Sequence, residues 1–145
     1  MRFASDEDAM QYALRLARRG FGRVEPNPQV GAVLTTADGQ LIAEGWHQEC
    51  GGPHAEVHAL RAAGERARDA VLYVTLEPCL MCSGAIMHAR ISRLIYGAKD
   101  PKTGCVHSVL NVFENKQLNH HAEIKGDVLS EECSEILKDF FRSRR

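Results

Sequence analysis

Aromatic residues are scarce in this 145-residue chain, at 6%, and neither sign of charge dominates: 18 Lys and Arg face 19 Asp and Glu, a formal net charge of −1. That balance gives no global pull toward nucleic acid or a membrane surface, although a partner site can still be locally basic. No apolar run approaches the roughly 18 residues that span a bilayer. The start, Met1-Arg2-Phe3-Ala4-Ser5-Asp6-Glu7-Asp8, lacks the apolar stretch of a secretory signal, so a cytoplasmic protein without membrane contact is expected. Repeats, low-complexity tracts and Pro/Ser-rich linkers are missing, and the length fits one domain, residues 1–145. Five cysteines, an odd count, argue against a disulfide framework.

What is present reads as alternating helices and strands. Ser5 is placed to cap a first helix, whose stripe is Met10, Ala13, Leu14 and Ala17 and whose stop is Gly20. Val30–Thr36 and Leu41–Trp46 are strands around the hairpin signal Ala37-Asp38-Gly39-Gln40. A second helix is expected over Ala55–Ala63, then a buried strand over Ala70–Leu76. A third helix has Pro78 in its first turn and runs to about Arg90. Arg93–Gly97 reads as a fourth strand and Val106–Leu110 as a fifth. Ser130 is the expected cap of a last helix, with Cys133, Ile136, Leu137, Phe140 and Phe141 on one face. A sheet covered by helices on both faces follows from this order.

The chemistry concentrates in His54-Ala55-Glu56 and Pro78-Cys79-Leu80-Met81-Cys82. At the N-terminal turn of a helix, unpaired N–H groups and the positive dipole end favour thiolate over thiol for Cys79 and Cys82. With His54 as third ligand, one imidazole and two thiolates suit Zn²⁺ and leave the fourth tetrahedral position open, as in a catalytic site. Two thiolates neutralise much of the metal's charge, so a nearby carboxylate, Glu56, is needed to accept a proton from water. Plainer readings stand beside this one. A C-x-x-C alone is also a redox pair, and a fourth ligand from His47, Cys50 or His88 would make the zinc structural.

The joint pattern resembles the zinc-dependent nucleoside and nucleobase deaminase superfamily. From Leu76-Glu77-Pro78-Cys79 onward the chain is similar to bacterial tRNA-specific adenosine deaminase. The matching text includes Pro78-Cys79-Leu80-Met81-Cys82-Ser83-Gly84-Ala85, Ile95-Tyr96-Gly97-Ala98-Lys99-Asp100, Lys102-Thr103-Gly104 and Asp139-Phe140-Phe141-Arg142-Ser143-Arg144-Arg145. The first half resembles the deaminase domain of the bifunctional riboflavin-biosynthesis enzyme, through Pro26-Asn27-Pro28-Gln29-Val30-Gly31, Gly45-Trp46-His47-Gln48 and Gly52-Pro53-His54-Ala55-Glu56-Val57-His58-Ala59-Leu60. A switch of affinity near residue 77 reads as a mosaic: an engineered chimera, a reconstructed sequence or an unusual homologue.

These resemblances imply a cytidine-deaminase-like, three-layer α/β/α sandwich with a mixed central sheet of about five strands. They also imply one Zn²⁺ per chain and pairing as a homodimer. The implied reaction is hydrolytic deamination, first of adenosine to inosine in a tRNA anticodon loop. A riboflavin-pathway aminopyrimidine nucleotide or a free base is the alternative substrate, and a non-catalytic zinc-stabilised module or inactive engineered deaminase the alternative of another class. The insert that holds the substrate phosphate between the cysteines of the riboflavin family is missing here. Carried over by resemblance, Asn27, His47 and the backbone of Ala55 contact substrate. His47 stands where the tRNA enzyme has Asn, and a histidine satisfied within the protein is the other reading of it. Asp100 is implied to sit near a ribose 2′-hydroxyl, Lys102 and Thr103 near backbone groups, Phe141 on an anticodon base, and Arg142, Arg144 and Arg145 near phosphates. From residue 78 onward ten Lys and Arg face eight Asp and Glu, against eight and eleven before it, which suits a small RNA hairpin.

Overall fold

The computed structural model describes the backbone of residues 1–143 and the side chains of residues 1–138. Helix α1 (Asp6–Arg18) opens with Asp8 N donating to Ser5 Oγ at 3.2 Å, the expected cap. Strands β1 (Gly31–Thr35) and β2 (Leu41–Trp46) form the expected hairpin, closed by Gly39 N donating to Thr36 O. Next come α2 (Ala55–Ala63), β3 (Val71–Leu76), α3 (Leu80–His88), β4 (Arg93–Ala98), β5 (Glu123–Lys125) and α4 (Ser130–Ser143).

The five strands lie in the order β2-β1-β3-β4-β5. Pairing is antiparallel between β1 and each of its neighbours and parallel from β3 to β5, so the sheet is mixed. Successive strand residues point to opposite faces, and both faces are dry. Ala32, Leu34, Leu72, Val74, Leu94 and Tyr96 pack under α2 and α3, against Ala55, Ala59 and Ile86. Val33, Val71, Tyr73 and Ile95 face α1 and α4, against Met10, Ala13, Leu14, Cys133 and Ile136. The expected three-layer α/β/α sandwich is the observed one. Among the described residues no helix is long and apolar enough to cross a membrane.

Three expectations need correction. Val106–Leu110 is not the fifth strand: its amide groups bond to a side chain and to loop carbonyls instead of a neighbouring strand. The fifth strand is Glu123–Lys125, where one apolar residue in three gives no readable alternation. Helix α3 begins two residues after Pro78, because Pro78 O accepts from Cys105 N and Cys79 is extended. Ser130 is the first residue of α4 and not its cap; Cys133 N already reaches back to Leu129 O at 3.0 Å.

Candidate active site

The N-terminal ends of α2 and α3 bring the reactive groups together. α2 sits directly on β2 because Gly45 offers no side chain: a Cβ there would lie 2.5 Å from Ala55 O and 2.7 Å from Ala59 N. This close approach fixes His54, extended at the N-cap of α2, and Glu56 in its first turn. β3 delivers the chain through Glu77-Pro78 to Cys79, the N-cap residue of α3, with Cys82 in the first turn. His54 Nδ1 lies 3.3 Å from Cys82 Sγ and 3.7 Å from Cys79 Sγ, and the three donor atoms fall within 4.8 Å of one another.

That donor set fits zinc. Tetrahedral Zn²⁺ with bond lengths near 2.0–2.3 Å places N and S ligands about 3.6 Å apart, close to the spacing seen. The Cys82 hydrogen bond draws the Cys79 thiol down to about 5 against the cost of burial, and the same bond, with burial, pushes Cys82 up. Two adjacent sulfurs that each, once ionised, make it costlier for the other to ionise form a site whose negative charge a divalent cation neutralises. Among the described residues the cluster contains three ligands. Neither Cys50 nor His88 joins it; both are exposed. His47 is 3% exposed, and both its ring nitrogens are engaged elsewhere.

Glu56 borders the same cavity at 4% exposure. Burial pushes its carboxyl up to about 7, with bonding to its own amide and the nearby His54 opposing. A carboxyl held near neutrality both accepts and releases a proton at ordinary pH. The cavity, about 260 Å³, is also walled by Asn27, Pro28, Val30, His47, His54, Ala55, Leu76, Glu77, Cys79, Asp100 and Thr103. It is small among ligand pockets and has room for one base-sized group.

The remaining expected residues divide. His47 Nδ1 bonds Pro53 O at 2.9 Å, so that nitrogen carries the hydrogen and Nε2 accepts from Asn27 Nδ2 at 3.2 Å. His47 therefore satisfies its own hydrogen bonds and orients Asn27. Asp100 and Thr103 line the cavity, yet the Asp100 carboxylate accepts from Lys102 N, Thr103 N and Thr103 Oγ1, which shapes its own turn. Lys102 is exposed and outside the cavity wall. The side chains of Phe141 and Arg142, and all of Arg144 and Arg145, lie outside the described residues.

Sequence reading missed the role of Glu77. Its carboxylate, 2% exposed, accepts from Asp100 N, Val106 N, His107 N, Ser108 N and Ser108 Oγ, at 3.1, 3.0, 2.8, 2.9 and 2.5 Å. Burial alone would raise its pKa; the bonds from His107, Ser108 and Asp100 outweigh that and bring it down to about 2. One side chain thus holds the loop that carries Asp100 and Thr103 against the cavity. Glu77→Gln turns an NH₂ toward amide donors and is expected to destabilise by about 3 kcal/mol or more, since bonds to a charged group contribute roughly 1.5–3 kcal/mol each. Urea unfolding checks this; a loss below 1 kcal/mol (about one ordinary hydrogen bond) would contradict it.

Residues 4–98 match the family described as the cytidine and deoxycytidylate deaminase zinc-binding region. A tRNA-specific adenosine deaminase of Haemophilus influenzae is 44% identical over 97% of this chain and 85% of its own length. The riboflavin biosynthesis protein RibD of Aquifex aeolicus is 40% identical over 94% of this chain, which spans 38% of that relative. A solved structure from work on A-to-I editing by tRNA:A34 deaminases at the wobble position of transfer RNA superposes with a TM-score of 0.76. It shares 36% identity and covers 88% of this chain and 97% of its own. Both kinds of relative align along nearly the whole chain, so the mosaic expected from local motifs is not supported.

Proposed function

This chain belongs to the cytidine and deoxycytidylate deaminase zinc-binding family, and on that premise we propose that it converts adenosine to inosine in the loop of an RNA hairpin, a tRNA anticodon loop being the natural setting. The observation that carries the reading is the convergence of His54, Cys79 and Cys82 on a base-sized cavity with Glu56 buried beside them. The tRNA-specific relatives supply the substrate class. When bound, zinc supplies a Lewis acid that makes water a nucleophile near neutral pH. Glu56 accepts the proton of the attacking water and passes it to the adenine ring nitrogen N1 as the C6–O bond forms. The same carboxyl then moves the hydroxyl proton to the amino group, the C6–N bond breaks, and ammonia leaves. The Ala55 amide meets the edge of the base, and Asn27, held by His47, presents its free carbonyl oxygen. Asp100 and Thr103 keep the opposite wall in shape, and Lys102, Phe141, Arg142 and Arg144 contact the surrounding RNA.

A structural zinc module would need a fourth protein ligand, and His47, the candidate that lines the cavity, has both nitrogens committed. Pairing with a second copy of the chain is supported by exposed Leu80 and Met81 on α3 and Val109 and Leu110 in the segment after β4; a purely monomeric sedimentation profile would contradict it. The second reading of the substrate is an aminopyrimidine nucleotide of riboflavin biosynthesis, supported by the RibD relatives, which align with 94% of this chain, and by Asn27 and His47 in the cavity wall. Offering both substrates in one reaction separates the two. Inosine is expected to accumulate in the hairpin while the aminopyrimidine persists, and the reverse would overturn the assignment.

A further inference from the structure

A cavity that admits one base leaves the rest of an RNA substrate on the surrounding surface, so the following rests on the RNA reading above. The last residue of α1 and the turn that follows it read Arg18-Arg19-Gly20-Phe21-Gly22-Arg23. Phe21 is 76% exposed, the one aromatic among the exposed large hydrophobic side chains of the described residues. Arg18, Arg19 and Arg23 around it are exposed as well. Arg19 is steadied over the Trp46 ring, 4.9 Å from its centroid, and lies 3.9 Å from Glu44. Among the described residues Arg18 and Arg23 have no carboxylate partner.

This turn is fastened to the cavity wall. Arg23 N donates to Gly20 O, Asn27 N to Val24 O and Cys50 N to Arg23 O, while Val24 is buried beneath. Gly20 packs so closely on His47 that a Cβ would lie 2.7 Å from His47 O. The exposed ring is therefore held by backbone bonds next to Asn27 and His47, two residues of the cavity, and is packed by neither flanking glycine. A flat apolar face between phosphate-binding cations, set beside a pocket for one extruded base, has the chemistry of a single-stranded nucleic acid platform.

We propose that Arg18-Arg19-Gly20-Phe21-Gly22-Arg23 is an RNA-docking turn: Phe21 stacks on an unpaired loop base neighbouring the target adenosine, and Arg18 and Arg23 take backbone phosphates. A base-paired stem offers the ring no free face, so the turn selects loops over duplex.

The test is fluorescence anisotropy with the zinc-loaded full chain and a labelled RNA hairpin carrying one adenosine in its loop, beside a blunt RNA duplex. Phe21→Ala is expected to weaken hairpin binding about tenfold or more, the usual effect of losing one stacked base. Phe21→Trp retains it. Arg18→Ala with Arg23→Ala lowers the slope of log Kd against log salt by about 1–2, one per phosphate lost. Unchanged zinc content and melting temperature show that each variant is folded. Tight hairpin binding by the wild type together with unchanged affinity in Phe21→Ala overturns the docking turn alone. So does a Phe21→Trp loss as large as that of alanine. A wild type that does not prefer the hairpin to the duplex overturns the RNA reading, and the docking turn with it.

Discussion

Glu56→Gln is expected to lower turnover of the loop adenosine by roughly 10²–10⁴, the range supplied by a positioned proton carrier, while the protein keeps its zinc and its fold. Glutamine has the shape of the carboxyl and its hydrogen-bonding reach, so packing in the first turn of α2 is preserved. It cannot carry a proton, and both halves of the reaction need one moved. Burial already pushes the Glu56 carboxyl up to about 7, a sign that the folded protein holds this group at a cost. Replacing it with a neutral amide removes that cost, so the melting temperature should hold or rise as activity falls, the pattern of a residue kept for function at the expense of stability. Steady-state ammonia release, metal analysis and a thermal melt on the same sample decide it. Turnover within tenfold of wild type would remove Glu56 from the mechanism.

Cys82→Ser and Cys79→Ser are expected to lose zinc and to melt at the temperature of chelator-treated wild type. Cys82 is fully buried and each sulfur lies close to His54 Nδ1, so neither position can be replaced by water without reshaping the N-terminal turn of α3. Zinc binding of roughly 10–16 kcal/mol, shared by three ligands, assigns about 3–5 kcal/mol to each, or a fall in affinity of roughly 10²–10⁴. Because metal bound to the folded chain is folding free energy, stability falls with it. Stoichiometric zinc in both variants would contradict the ligand assignment.

The site was legible where chemistry is tied to local position. Two cysteines at the start of one helix and His-x-Glu at the start of another leave few arrangements, and a dry sheet between helix layers brings them together. Glu77 was illegible, since its partners are 23–31 residues away and nothing in Leu76-Glu77-Pro78 marks them. The same carboxylate explains the failed strand: Val106–Leu110 is apolar enough for one, but three of its amides are claimed by Glu77. His47 lines the cavity, but its bonds to Pro53 O and Asn27 Nδ2, six and twenty residues away, are marked by no local pattern in the sequence. Short motifs alone suggest a mosaic, and similarity to both kinds of relative over 97% and 94% of the chain leaves it without support.

The most direct measurement is to run the zinc-loaded protein on the loop-adenosine RNA hairpin in heavy-oxygen water, digest the product and read its nucleosides by mass spectrometry. Hydrolytic deamination predicts inosine bearing one heavy oxygen, with one ammonia released for each inosine formed and release slower by roughly 10²–10⁴ from the Glu56→Gln protein. Intact adenosine in the hairpin, with zinc bound and the aminopyrimidine nucleotide converted instead, would contradict the account.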